Sequence, residues 1–217
     1  MEKNGKIFIN KEKVNKQYFY RTCKRIFDIV ASLLGLILLS PVFLIVAIAI
    51  KLDDGGPVFY NQSRIGKDGK KFKMFKFRSM KVNADKEIDK LQQQNEVKGA
   101  MFKMKNDPRI TKVGRFIRKT SIDEFPQLLN VLLGEMSIVG PRPPLPREVA
   151  KYTDYDKQRL FVCPGCTGLW QVTLRNSVGF DEMVNIDLYY IKHRSLWLDL
   201  KIMIKTIKVI FVPNTAY

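Results

Sequence analysis

Hydrophobic and polar positions divide the 217-residue chain into one long apolar run and a mosaic of short amphipathic pieces. Residues 1–20 are polar and basic, and further cations follow at Arg21, Lys24 and Arg25. From Ile29 to Ile50 about 22 residues pass without a charge, enough helix to cross a hydrocarbon core of roughly 30 Å. Ser40-Pro41 stands at the midpoint of this run. Proline removes an intrahelical hydrogen bond and kinks a helix, while Ser40 can bond a carbonyl one turn back and relieve part of that cost. Cations flank the run on both sides, with Lys51 and the basic stretch 64–81 after it. The positive-inside bias favours keeping both flanks in the cytoplasm. Two readings therefore stay open: a kinked span, and a re-entrant hairpin that bends at Ser40-Pro41 and leaves on the face it entered. A signal peptide fits poorly, because the run is long and no small-residue cleavage site precedes Lys51.

Beyond the run the pattern shortens. Leu52 to Pro57 form a breaker cluster, so the chain divides into a basic segment (1–20), a membrane element (21–54) and a remainder (55–217). Val58–Gln62 and Lys71–Met80 read as strands around the turn Gly66-Lys67-Asp68-Gly69. Alternation puts Phe72, Met74, Lys76 and Arg78 on one face, where the two cations make either a solvated strand end or a phosphate grip. Asp85–Val97 is polar and helix-prone. Arg109, Lys112, Arg115 and Arg118 recur every third residue and predict a row of cations along one helical face. Ser121 with Glu124 three residues later reads as a capping box, and Pro126 suits a first turn; the next helix should begin at Ser121–Asp123 and stop at Gly134. Leu200–Phe211 carries Lys201, Lys205 and Lys208 on one face, which fits either an interfacial amphipathic helix or a core-packing helix with a solvated edge.

Charge and composition narrow the chemistry. A net charge of +17 attracts polyanions, whether nucleic acid, lipid headgroups or phosphorylated substrates. The single histidine, His193, nearly excludes histidine-based triads and multi-histidine metal sites, leaving carboxylates with Lys and Arg. Three cysteines are too few and uneven for a disulfide framework. Cys163-Pro164-Gly165-Cys166 lacks a second ligand pair for zinc, and its Pro-Gly centre followed by Thr167-Gly168 reads as a turn, which weakens a thiol-oxidoreductase reading. Asp123 and Glu124 have an ordinary explanation, since acids in a first turn complement the helix dipole. The same position would keep Asp123 ionised and let free N–H groups and nearby arginines hold a phosphate beside it. Val139-Gly140-Pro141-Arg142-Pro143-Pro144 pins one arginine between prolines, which reads as a linker or as a pre-stiffened anion grip.

Taken in order, these pieces resemble the bacterial sugar transferases, the small monotopic phosphoglycosyl transferases. The resemblance spans residues 21–212. It rests on Lys24-Arg25-Ile26-Phe27-Asp28, Ser40-Pro41, Gly56-Pro57-Val58-Phe59, Arg64-Ile65-Gly66, Lys76-Phe77-Arg78-Ser79-Met80 and Asp107-Pro108-Arg109. Asp123-Glu124-Phe125-Pro126-Gln127-Leu128, Met136 through Pro143, Pro164 through Gly168 and Asp187-Leu188-Tyr189-Tyr190 complete it. It implies an α/β, helix-rich catalytic domain with short strands, mounted on a re-entrant helix bent at Ser40-Pro41, with amphipathic helices in the headgroups. The expected location is the cytoplasmic face of the bacterial inner membrane. The implied reaction moves a sugar 1-phosphate from a nucleotide sugar, UDP-linked on family grounds, to a polyprenyl phosphate and so starts a surface glycan. Asp123 would be the nucleophile, forming a phosphosugar–aspartyl intermediate, and Glu124 would ligate Mg2+. Lys76, Arg118 and Arg142, with Arg78 as a weaker member, would grip phosphate, and Asp187 would sit near the metal or sugar.

Departures from the family pattern are few. Phe125 replaces a usual leucine, Cys166 a usual aliphatic residue, and Cys163 a frequent basic one. Thr173-Leu174-Arg175 stands where Gly-Arg is common, which puts the sugar in doubt. Membrane lipids are expected partners, nucleic acid is not, and a homodimer is left open. The rival reading is a membrane-anchored basic module for nucleic acid or anionic lipid. It accounts for the charge and the apolar run but not for Asp123-Glu124 beside Arg118.

Overall fold

The computed structural model describes residues 2–3, 6–84, 104, 107–173 and 179–211. The helix expected over Asp85–Val97 and most of the Thr173-Leu174-Arg175 segment lie outside the described residues. Two-residue strands β1 (Glu2–Lys3) and β2 (Lys6–Ile7) pair ahead of α1 (Lys11–Asn15). Then comes α2, a single helix from Tyr18 to Asp54. At 37 residues it is about 55 Å long. It is the one described helix long and apolar enough to cross a membrane.

The break expected at Ser40-Pro41 does not interrupt α2: Pro41 lies inside a continuous helix. Local chemistry accounts for this. Pro41 cannot donate to the Ile37 carbonyl, and the Ser40 hydroxyl donates to that same carbonyl at 2.8 Å instead. A serine placed just before the proline thus re-satisfies the acceptor that the proline orphans.

One face of α2 packs on the rest of the chain along both halves. Asp28, Ser32, Val46 and Ile50 are buried, and Gly35 and Val42 lie on the same stripe, the spacing of one helical face. Arg25 donates to the last carbonyls of a later helix (Val131 at 2.6 Å, Leu132 at 2.8 Å), and Asp28 accepts from Ile138 N at 3.0 Å. At the far end Asp53 accepts from Val113 N at 3.0 Å, and Asp54 binds the Arg78 guanidinium. The outward face keeps Leu33, Leu34, Ile37, Leu38, Leu44 and Ile45 exposed.

β3 (Phe59–Ile65) and β4 (Lys71–Phe77) form an antiparallel hairpin in which Tyr60 faces Lys76 and Arg64 faces Phe72. Its turn places Asp68 and Gly69 at positive φ, which suits this Asp-Gly step. Next come α3 (Lys112–Lys119) and α4 (Gln127–Leu133). Two expectations fail here. Arg109 is not on the cation row; it precedes the Thr111 cap of α3 and is buried against Asp107 at 2.6 Å. The row reduces to Lys112, Arg115 and Arg118. The capping box also does not form: Ser121 is left-handed (φ 57) with no side-chain cap, Ile122–Glu124 is a short 3-10 turn, and α4 starts only at Gln127. Gly134, left-handed at φ 85, ends α4 as expected.

β5 (Ser137–Val139) and β6 (Gly165–Thr167) pair in parallel, so the Pro-Gly turn expected at 164–168 is a strand. The pairing needs glycine. A Cβ on Gly165 would sit 2.1 Å from Gly140 N, and one on Gly140 would sit 2.7 Å from Cys163 O. Short helices α5 (Pro146–Val149), α6 (Asp154–Lys157) and α7 (Leu169–Thr173) lead to α8 (Phe180–His193) and α9 (Leu196–Phe211). The C-terminal helix packs on the core along one face and leaves apolar residues exposed on another. Ile202 is buried in the α8 core with Val184, Leu188 and Ile191, while Trp197, Ile204 and Ile207 stay exposed. A second core joins α2 to the hairpin and α3 through Val46, Ile50, Phe77 and Ile117. At 1 % exposure Phe77 sits at its centre, where loss of the ring costs about 3–5 kcal/mol.

Candidate active site

The cores bring the ends of several elements to one small cleft of about 10 Å³, whose walls include Met74 and Cys166. It is lined by Arg64 from β3, Lys76 from β4, Glu124 from the 3-10 turn, Gln127 opening α4, Arg142 from the proline-rich loop and Gln171 from α7. The hairpin supplies Lys76 because Asn130, fully buried on α4, replaces a missing neighbouring strand. Its Oδ1 accepts from Phe75 N at 2.9 Å, and its Nδ2 donates to Lys73 O at 2.8 Å and to Glu135 at 2.7 Å. This clamp ties β4 to α4 one residue away from Lys76. Arg142 is carried by a loop whose neighbours Gly140 and Pro141 are locked to β6 through Gly140 N to Thr167 O and Gly165 N to Pro141 O, both 2.9 Å.

Electrostatics separates the two adjacent acids. Lys76 Nζ contacts Glu124 Oε1 at 2.6 Å. Burial alone would raise the Glu124 carboxyl, but Lys76 first, then Arg142 and Arg64, outweigh it and hold the group below the usual range. Asp123 is 8 % exposed, and burial pushes its carboxyl up to about 6; Glu124 adds to the rise while Lys76 and Arg118 oppose it. The expectation that a helix N-terminus keeps Asp123 firmly ionised is corrected here. A 3-10 turn of three residues has little dipole to offer, so desolvation wins. At neutral pH Asp123 is still mostly carboxylate, and a poorly solvated one. Arg64 is buried, donates to Pro143 O at 3.0 Å and Gln62 at 2.6 Å, and leaves Nε without a partner. Burial first, then the like charge of Arg142, lowers it to about 10, so it too stays charged at neutral pH.

The residues singled out from sequence thus separate. Lys76, Glu124 and Arg142 share the cleft. Asp123 stands next to it in the chain, and exposed Arg118 acts on Asp123 electrostatically. Arg78 and Asp187 are not among the lining residues. Arg78 is buried against Asp54 and donates to Pro57 O at 2.5 Å and Met80 O at 3.1 Å. Asp187 is buried in an ion pair with Arg159 at 2.6 Å; burial pushes it up to about 6 against the pull of Arg159. Arg64, Gln127, Gln171 and the positioning residue Asn130 escaped the sequence reading. One signal was available for two of them: Gln127 and Asn130 lie at i and i+3 on the buried face of α4, where polar side chains need partners.

The cysteines are free. Cys163 lies 3.4 Å from Glu135 O, and burial pushes its thiol up to about 11; burial raises Cys166 as well. Both are therefore poor thiolates, opposite to what a redox pair needs.

The bacterial sugar transferase family matches residues 19–213. The undecaprenyl-phosphate galactose phosphotransferase of Salmonella typhimurium is 47 % identical over 201 residues, covering 91 % of this chain and 42 % of its own length. The UDP-glucose:undecaprenyl-phosphate glucose-1-phosphate transferase of Escherichia coli K12 is 42 % identical over 206 residues, covering 91 % and 42 %. The exopolysaccharide production protein ExoY of Sinorhizobium fredii is 43 % identical over 198 residues, covering 89 % and 88 %. The chain spans less than half the length of the first two relatives and most of the third. With the family matched over nearly all its residues, this chain belongs to the bacterial sugar transferases.

Proposed function

We propose that the chain transfers a sugar 1-phosphate from a UDP-sugar to a membrane polyprenyl phosphate, the first step of a surface glycan. The observation that carries this is the excess of cations in the cleft: Arg64, Lys76 and Arg142 converge on one lining acid, Glu124, with Asp123 beside it. Such an excess of positive charge attracts a polyanion, and a diphosphate has the complementary charge. Relatives named for UDP-glucose and undecaprenyl phosphate add support. Their names differ in the hexose, glucose in one and galactose in the other, so the sugar stays open.

In this reading Lys76, Arg64 and Arg142 hold the diphosphate and take up charge as the phosphorus is attacked. An Asp123 oxygen bonds to the sugar-proximal phosphorus, and the bond to the leaving uridine monophosphate breaks. A polyprenyl phosphate oxygen then attacks the same phosphorus and releases the Asp123 carboxylate, giving polyprenyl-diphospho-sugar. The desolvated Asp123 suits this role, because a carboxylate stripped of water is a better nucleophile. Among the described residues no three acidic, histidine or cysteine side chains cluster. Glu124 would be the residue to hold a Mg2+ ion, a metal that needs few protein ligands when phosphates are present. When bound it would neutralise the diphosphate.

The membrane arrangement belongs to the same proposal. Asp28 and Asp53 lie about 37 Å apart along α2, yet both bond to the same domain. Crossing the bilayer between them would draw α3, with Lys112, Arg115 and Arg118, into hydrocarbon at several kcal/mol per charge. One-sided, cytoplasmic-face insertion of α2 avoids that cost. The test is incubation with UDP-galactose or UDP-glucose without acceptor. The peptide containing Asp123 should gain the mass of a hexose phosphate as uridine monophosphate appears, and added polyprenyl phosphate should discharge it. Transfer at the wild-type rate by Asp123→Asn would overturn the assignment.

A further inference from the structure

A second cavity, of about 770 Å³, opens at the other end of α4. It lies between the start of α2, the β3–β4 turn and the C-terminus of α4, and it shares no lining residue with the cleft. Phe72 lines this cavity and Met74 and Lys76 the cleft, separations of about 7 and 13 Å along β4. Its walls carry Arg21, Lys24 and Arg25 from α2, Lys67, Lys70 and Lys71 from the turn, and Arg194 beyond them. The acids among the lining residues are Asp28 and Glu135, and each already accepts a hydrogen bond within the fold.

The three lysines differ from the other cations. Arg25 holds the α4 carbonyls, Lys24 pairs with Asp199 at 2.8 Å, and Arg194 donates to Gln17 at 2.7 Å. The side chains of Lys67, Lys70 and Lys71 have no hydrogen bond or ion pair among the described residues. Three unneutralised cations facing a concave wall set a field for an anion. Apolar side chains, among them Ile26, Leu133 and Phe161, make up much of the remaining wall. Arg21 to Ile26 sit within a turn or two of the uncharged stretch that begins at Ile29. With that stretch in hydrocarbon, the cavity lies at headgroup depth.

We infer that this cavity binds the phosphate headgroup of an anionic membrane phospholipid, as a lipid site separate from catalysis. The cavity shares no lining residue with the cleft, so the inference does not depend on the transfer reaction. Free phosphate offers the same charge, but it lacks the acyl chains that the apolar wall and the neighbouring α2 would contact.

The test uses the full chain in nanodiscs of phosphatidylcholine with phosphatidylglycerol, extracted with detergent and analysed for retained lipid by mass spectrometry. Phosphatidylglycerol should be retained in excess of its share in the disc. A cation near an anionic surface contributes about fivefold in affinity, so Lys67→Gln, Lys70→Gln, Lys71→Gln together should cut that excess on the order of tenfold to a hundredfold. The same charge removed from α9 by Lys201→Gln, Lys205→Gln, Lys208→Gln should leave it in place, and transfer in detergent should persist in both triple variants. Retention at the bulk ratio, equal loss in the α9 variant, displacement by inorganic phosphate alone, or preferential retention of added polyprenyl phosphate would each overturn the inference.

Discussion

Two kinds of acid–cation contact occur in this chain, and they look alike in sequence. Asp187 with Arg159, Asp54 with Arg78, and Asp107 with Arg109 are closed pairs, each acid facing a buried guanidinium, with Asp54 itself at the surface. The cleft differs: Glu124 is under the charges of Lys76, Arg142 and Arg64, Asp123 beside it feels Lys76 and Arg118 through space, and Arg64 leaves an Nε unpaired. Pairing cancels the charge that would attract a ligand and fixes two elements together, even though Asp187 Oδ1 itself accepts no hydrogen bond. An array with surplus cation is stabilised only when an anion arrives. What marks the functional region is therefore incomplete neutralisation. Charge and burial alone do not mark it, because the Asp187–Arg159 and Asp107–Arg109 pairs are at least as buried.

The sharpest attempt to break this contrast is Asp123→Asn. Transfer should fall by about 10⁴-fold or more, while stability rises by about 1–2 kcal/mol because a buried carboxylate is neutralised. Both follow from one assay of uridine monophosphate release and one melting curve. Asp187→Ala should do the reverse. Leaving Arg159 buried and unpaired costs about 3–5 kcal/mol, and activity per folded molecule should hold; a loss of activity at unchanged melting temperature would move Asp187 out of the closed class. Lys76→Met should lower transfer about 10²–10³-fold with little change in melting temperature, since Glu124 keeps partial access to water.

Titration sharpens the same difference. Transfer should decline about tenfold per unit as pH falls below about 6, where Asp123 protonates. Its contribution to stability runs the other way. The folded state holds this proton more tightly than the unfolded chain, so the cost of burying the charge is complete above pH 6 and is relieved between about 6 and 4. A pH–rate profile beside pH-dependent melting checks both signs. Smallest is Ser40→Ala, which strips the Ile37 carbonyl of its donor and should cost about 1 kcal/mol, read as a lower melting temperature with transfer kept.

Much of the site was legible along the chain. Lys76, Glu124 and Arg142 meet in the cleft as their motifs implied, and Gly134 ends its helix. The capping box and the fourth member of the cation row were not so readable. Both inferences assumed that a local pattern continues as a helix, whereas left-handed Ser121 and the Asp107–Arg109 pair interrupt it. Arg64 and Asn130 were hidden for another reason. Each acts through partners that are remote in sequence, Pro143 for one and Lys73 and Phe75 for the other.

By itself the sequence determined the apolar run, the hairpin, the order of motifs and the positive charge, because these depend on composition and on periods of two or 3.6 residues. Tertiary structure decided which charges are spent and which are free. It closed Arg78 and Asp187 into pairs, left the cleft cations in excess, and raised Asp123 through desolvation. Neutralisation and desolvation are set by what lies within a few ångströms in space, and a chain read one residue after another does not contain that information.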